Sequence, residues 1–316
     1  MPRVLITGAG LVGAHAARAI VDSGGDVTLL DSAPNPAYVR RIVGHPLETL
    51  KVDIRELPAL IDAVNRVGPD VVVHTAALIG SAAQTNPYAG VQVNVLGTVN
   101  VAEAVRLGNV RRLVHASTLG VNDLSQPQVK PIDEHFPIGS RGRIYSATKV
   151  ACEELLRAYQ LAYGFELALL RFAGIYGDGH FAGGSGIGQE VVALLQAARE
   201  GRQGSLGKGM PETYEVVHAK DVARGVMLAA TVRSLPHDIY NIGSGVLVTP
   251  EDVIGAVTRI FPGFVGSRGA STRPDPFVRT QPFDLERSRT ELGYVPTFDL
   301  DAGLRDLAAD LSSEAP

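Results

Sequence analysis

Residues Arg3 to Thr7 (RVLIT) run directly into Gly8-Ala9-Gly10-Leu11-Val12-Gly13 and then into AHAARAIVDSGG. A short β-branched run, a glycine turn and a helical stretch read as strand, turn, helix. The GxGxxG spacing has a physical basis: two glycines permit a tight turn and close approach of a pyrophosphate, and the third lets the helix pack on the strand. The pyrophosphate would sit over the helix N-terminus, whose free N–H groups and dipole favour an anion. Gly8, Gly10, Leu11, Val12 and Gly13 are therefore the expected cradle. The next strand, DVTLLD, ends in Asp31, 18 residues beyond Gly13, where an acid holds the adenosine ribose diol. A carboxylate there repels a 2′-phosphate, and no Arg or Lys follows until Arg40. The expected cofactor is NAD rather than NADP.

The same alternation continues. TLKVDIRE reads as a third strand ending in Asp53-Ile54, where the acid can bond an adenine amino group with Ile54 on the ring, or else cap the helix that follows. PDVVVHTAA is a continuous apolar strand, suited to a sheet buried on both faces. Residues 71–102 contain no Asp, Glu, Lys or Arg, yet Gly80, Gln84, Asn86, Pro87, Asn94 and Gly97 interrupt the run, so it reads as interior rather than as a membrane span. A long helix containing Asn94 follows, then RRLVHAST ending in Ser117-Thr118, and FELALLRFAGIYG ending a sixth strand at Arg171-Phe172. Repeated βα units predict an α/β fold, a doubly wound parallel (Rossmann) sheet with ligands at the C-terminal ends of its strands. The NAD-binding domain is expected over 1–177, with 214–245 returning to it. Residues 178–213 and 246–316 would form a smaller, discontinuous substrate-binding portion.

Tyr145-Ser146-Ala147-Thr148-Lys149 opens another helix. Residues four apart share a helix face, so Tyr145 and Lys149 point into the same space. A free phenol titrates near pH ~10, too high for a base at neutral pH. A lysine cation about 4 Å away at an effective dielectric near 20 would favour the phenolate by ~4 kcal/mol. Thr118, at a strand end just upstream, is the expected substrate contact, and His74 is expected to satisfy backbone locally. Within the irregular stretch 121–143, Asp133, Glu134 and His135 read as a solvated loop, since consecutive residues do not converge. Gly183–Gly188 reads as a lid or an anion-binding nest.

Composition narrows the function class. The net charge of -4 gives no footprint for nucleic acid or an anionic membrane. One cysteine, Cys152, excludes an internal disulfide framework and a CxxC metal site, and suits a reducing cytoplasm; no metal is expected.

Taken together, TGAGLVG, Asp31, VDI (52–54), HTAA (74–77), Asn94, Ser117-Thr118, YSATK (145–149), RFAGIYG (171–177), VVHAKDVARG (216–225), YNIGSG (240–245) and ELGYVPTFDLDAGL (291–304) resemble the extended short-chain dehydrogenase/reductases of the NAD-dependent epimerase/dehydratase type. That resemblance implies Tyr145 as proton donor and acceptor and Thr118 as the partner of the reacting oxygen. Lys149 would hold the nicotinamide ribose while lowering the tyrosine's pKa. It also implies that Ala76, Ala77, Asn94 and Ser117 line the cofactor groove, and that a homodimer forms through the helices at 86–107 and 145–163. The substrate class it implies is a sugar or nucleotide sugar, oxidised or epimerised at a secondary hydroxyl; a free sugar, sugar acid or hydroxy acid is the alternative. A non-catalytic dinucleotide sensor is disfavoured, because such proteins lose the Tyr-Lys pair.

The chain departs from the pattern at four places. The glycine turn is one residue shorter than TGxxGxxG. Leu119-Gly120 replaces the Asp-Glu with which dehydratases eliminate water, and Val121-Asn122-Asp123 replaces Val-Tyr-Gly. An arginine that holds the substrate diphosphate is replaced near Tyr214-Glu215, while Arg273, in RPDP, stands for a later one.

Overall fold

The computed structural model describes residues 1–179, 186–206, 212–269 and 279–312. Twelve described strands run in chain order. They are β1 (Arg3–Thr7), β2 (Asp26–Asp31), β3 (Thr49–Lys51), β4 (Val71–His74), β5 (Arg112–Thr118), β6 (Glu166–Phe172), β7 (Gly174–Tyr176), β8 (Gly204–Leu206), β9 (Tyr214–His218), β10 (Ile239–Ile242), β11 (Leu247–Val248) and β12 (Gly266–Arg268). Between them lie α1 (Leu11–Asp22), α2 (Pro36–Val43), α3 (Leu57–Val67), α4 (Gly80–Thr85), α5 (Pro87–Val91), α6 (Gly97–Leu107), α7 (Ile144–Tyr163), α8 (Gly186–Arg199), α9 (Ala219–Thr231), α10 (Pro250–Ile260) and α11 (Leu300–Ser312).

Seven strands form one parallel sheet in the order β10-β6-β5-β4-β1-β2-β3. After β3 the chain crosses to the other side of β1, and this reversal opens a crevice at the C-terminal ends of β1 and β4. Side-chain alternation explains why both faces are covered. Val4, Ile6, Val71 and Val73 bury against α1 and α9 through Ile20, Val222 and Val226. Leu5 and Val72 point the other way, onto Leu60, Val64, Val101 and Val105 of α3 and α6. A separate core joins α8, α10 and α11 to Tyr176, Tyr214 and Val216. There β9 pairs with β7 and β11 rather than with the main sheet, while β10 joins the main sheet beside β6. Among the described residues no helix is long and apolar enough to cross a membrane.

Two local differences from the sequence reading have clear causes. The third strand stops at Lys51, so Asp53 and Ile54 lie in the turn beyond it. The expected long helix around Asn94 is broken by a π-helical turn over Gln92–Leu96, which turns Asn94 fully inward.

Candidate active site

The glycine turn sits at the sheet's crevice. Gly8 adopts a φ of +89°, and a Cβ there would lie 2.6 Å from the Ala76 nitrogen. A Cβ on Gly13 would lie 1.8 Å from the Gly8 carbonyl oxygen. Both glycines are thus required by the protein itself. Gly10 is different: a Cβ there meets nothing within 4 Å. Its open side, at the uncapped start of α1, is a cradle for a ligand's anionic group. Leu11 and Val12 open α1 and are partly buried. Asp31 closes the turn, its Oδ2 accepting from the Ala9 N–H and its Oδ1 from the Ala33 N–H, both at 2.8 Å. Each carboxylate oxygen keeps a lone pair for a ribose hydroxyl. These residues fit a dinucleotide.

The neighbouring positions divide into those facing the crevice and those holding it. Ala76 and Ala77 follow β4 and are half-buried beside Gly8. Ile54 is buried in the core against Gly97. Asp53 is held by Arg55, whose Nη2 lies 2.5 Å from Oδ2; that bond keeps the carboxyl below its ordinary range. The cap of α3 falls instead on Glu56. Asn94 spends its amide on the protein: Oδ1 accepts from Leu78 N at 2.7 Å, and Nδ2 donates to Leu78 O at 2.9 Å and to Thr148 Oγ1 at 3.0 Å. It clamps the loop after β4 onto α7. Ser117 donates to Glu153 Oε1 at 2.5 Å and is likewise turned into the interior.

Thr118, the last residue of β5, is a side-chain neighbour of Tyr145 at the start of α7. Thr118 Oγ1 accepts from Gly120 N at 3.1 Å. Burial raises the Tyr145 phenol above its ordinary range, Cys152 pushes the same way, and the Thr118 side chain opposes both. Lys149 is buried; its Nζ donates to Ala116 O at 2.6 Å and lies 3.5 Å from His115 Nε2. The expected lowering of the tyrosine's pKa by Lys149 is therefore not what these groups produce. The ammonium is turned onto a carbonyl of β5, and burial dominates the phenol. Burial also pulls the Lys149 ammonium below its usual range, against the pull of Cys152 and Glu153. His74 does not serve backbone as expected. Its ring nitrogens lie 2.6 Å from Thr7 Oγ1 and 2.9 Å from Thr98 Oγ1, and burial drops its pKa to about 3.

Several residues that shape the site were not singled out in the sequence. Glu153, one turn beyond Lys149, pairs with Arg171 of β6 at 3.0 and 2.7 Å, both nearly inaccessible. The signals were a Glu four residues after the lysine and a lone Arg in an apolar strand. Glu134 corrects the solvated-loop reading: its Oε1 accepts from Asn241 N at 3.0 Å and its backbone oxygen from Arg171 Nη1 at 3.1 Å. Burial accordingly raises its carboxyl's pKa. A Cβ at Gly120 would come within 2.8 Å of Ser146 Oγ, so the glutamate of a dehydratase would have to displace that hydroxyl. Glu215 is fully buried, accepting from Gly245 N and Phe283 N and paired with Arg279 at 2.9 Å. Arg273, and Gly183 to Ser185 of the glycine-rich stretch, lie outside the described residues.

Comparison with known proteins agrees with this geometry. A putative UDP-glucose 4-epimerase from Methanocaldococcus jannaschii is 28% identical over 96% of this chain and 96% of its own length. The UDP-glucose 4-epimerase of Bacillus subtilis is 27% identical over 97% and 95%. Among solved structures, the Thermus thermophilus UDP-glucose 4-epimerase in complex with NAD superposes with a TM-score of 0.84 at 27% identity, covering 99% of this chain and 100% of that one. MoeE5 in complex with UDP-glucose and NAD gives 0.81 at 27%, covering 98% and 99%. Residues 4–243 match the NAD dependent epimerase/dehydratase family. With the glycine turn, Asp31 and the Thr118–Tyr145 pair gathered at one crevice, the chain belongs to the NAD-dependent epimerase/dehydratase family of enzymes.

Proposed function

We propose that this enzyme epimerises a nucleotide sugar at a secondary hydroxyl, with Thr118, Tyr145 and Lys149 as its catalytic residues. The observation that carries this reading is that Thr118, at the end of β5, lies beside Tyr145 on α7, whose next turn carries the buried Lys149. Thr118 Oγ1 orients the reacting oxygen. Tyr145 takes that oxygen's proton as the carbon is oxidised and returns it when the ketone is reduced from its other face. Lys149, held by the Ala116 carbonyl, is the buried cation one helical turn from Tyr145. When bound, NAD accepts and returns the hydride, and the charge on its oxidised ring favours the phenolate. Gly8, Gly10, Leu11, Val12, Gly13 and Asp31 hold the dinucleotide, with Ala76 and Ala77 along its groove.

UDP sugars are the first substrates to test, since UDP-glucose and NAD occupy the MoeE5 structure. Conversion of UDP-glucose to its C4 epimer by the NAD-loaded protein, followed by NMR, should proceed. Tyr145→Phe should lower turnover at least ~100-fold while leaving NAD affinity within twofold; undiminished turnover would refute the mechanism. A second reading, oxidation of a smaller sugar acid or hydroxy acid, is favoured by Glu215. A buried acid, spent on Gly245, Phe283 and Arg279, stands beside the position where the resemblance places a diphosphate-binding arginine. NADH formation from such compounds, without binding of UDP, dTDP or GDP, would select it.

The enzyme is further proposed to act as a cytoplasmic homodimer. Tyr88, Val91, Leu96, Leu107, Leu161 and Tyr163 expose apolar surface on the α5–α6 segment and α7, and burying it against a second copy is favourable. Sedimentation would report the assembly.

A further inference from the structure

We infer that His115, on β5, is a positioning residue that fixes the Lys149 ammonium against the end of β5 by accepting a hydrogen bond through its Nε2. The inference rests on the catalytic reading of Tyr145 and Lys149 given above.

The geometry is asymmetric. His115 is fully buried, with Nε2 at 3.5 Å from Lys149 Nζ and Nδ1 without any hydrogen-bond partner. A buried polar nitrogen left unpaired is rare and needs a reason. If an ammonium donates to Nε2, the neutral ring must carry its proton on Nδ1, the nitrogen with no acceptor. The ring would thus forgo a bond at Nδ1 to present a lone pair to the lysine. His74 cannot replace it, since both of its nitrogens are engaged by Thr7 and Thr98. Instead the two imidazoles pack with centroids 5.1 Å apart and planes tilted by 42°.

The charged and titratable groups around Lys149 come from three elements. His74 lies on β4, His115 on β5, and Cys152 and Glu153 on α7 itself. Burial first, then Lys149, then His74 hold His115 in its neutral form well below the usual histidine range. Burial thus favours the neutral ring, the form that can accept. The lysine has two protein acceptors, Ala116 O and His115 Nε2, for its three N–H groups.

Nitrogen-15 NMR of histidine-labelled wild-type enzyme reads the tautomer directly. Protonation of His115 on Nδ1, with Nε2 bare and sensitive to Lys149→Met, is the expected result. A proton on Nε2 would overturn the inference, since that nitrogen could not then accept. The kinetic arm compares His115→Leu with His115→Gln, whose side-chain oxygen can reach the position of Nε2. Losing an acceptor weakens the ammonium, so in His115→Leu the alkaline limb of the kcat profile, where Lys149 loses its proton, should move down by roughly one pH unit. His115→Gln should restore it with NAD affinity unchanged in both. Superimposable profiles for wild type and His115→Leu would also overturn the inference. Tyr145→Phe assayed alongside separates the two levels: full activity there discards the catalytic reading, whereas an inactive Tyr145→Phe with an unshifted His115→Leu discards only the role of His115.

Discussion

Glu153 is the residue whose replacement tests the architecture most sharply. It is 2% exposed and carries two bonds to Arg171 and one from Ser117, while Arg171 is itself fully buried. Arg171 Nη1 also reaches Glu134 O at 3.1 Å and Asn122 Oδ1 at 3.4 Å, but neither offsets its charge. Glu153→Leu would leave a guanidinium buried without a counter-ion, which typically destabilises by about 3–5 kcal/mol. An unfolding entropy of about 2.1 cal/mol/K per residue gives about 0.66 kcal/mol/K for a chain of this length. The melting temperature should therefore fall by about 5–8 °C in scanning calorimetry. The double variant Glu153→Leu/Arg171→Leu removes the stranded charge and should recover more than half of that loss. Additive losses in the double variant, or a single-variant loss below about 1 kcal/mol, would show that the pair is not a coupled buried unit. Because Glu153 sits one turn beyond Lys149, kcat should drop with stability in the single variant.

Two further predictions follow from the glycine turn and from His74. Gly13→Ala should destabilise the fold by more than about 2 kcal/mol through collision with the Gly8 carbonyl, whereas Gly10→Ala should leave thermal unfolding nearly unchanged and weaken NAD binding, read by calorimetric titration. His74 titrates at about 3 when folded against 6.5 when free; a depressed histidine contributes stability above pH 6.5 that is lost as pH falls. That amounts to about 2 kcal/mol between pH 6.5 and 5, and His74→Asn should flatten this slope in urea denaturation.

Much of the fold was legible because parallel strands buried on both faces leave unbroken apolar runs. RVLIT, VVVH and LVHAST announce themselves, and the turn at Gly8 to Gly13 fixes where the first of them leads. Asp31 was readable because its distance from the turn is set by one βα unit. Legibility failed where spacing says nothing about direction. An interval of four residues places Tyr145 and Lys149 on one helix face, but not which acceptor draws the ammonium; His115, in the adjoining strand, does not share their periodicity. The π-helical turn around Asn94 adds one residue without altering composition, so periodicity cannot reveal it. Glu134 was misread because the 121–143 stretch has no period, and its partners Asn241 and Arg171 are distant in sequence. The β3 edge ended early because an outer strand with one neighbour gains little from two more residues.

The position of β10 bears on how this chain is made. Ile239–Ile242 pairs with the outer edge of β6, which ends at Phe172, and the whole α8–β9–α9 segment is synthesised between them. At about 5–20 residues per second, roughly 65 intervening residues take about 3–13 s. Until β10 is made, the outer edge of β6 lacks the strand that pairs with it, and an unpaired edge is a template for another chain. Slow translation or overexpression should therefore shift yield toward aggregate, and a chaperone that shields this edge should restore it.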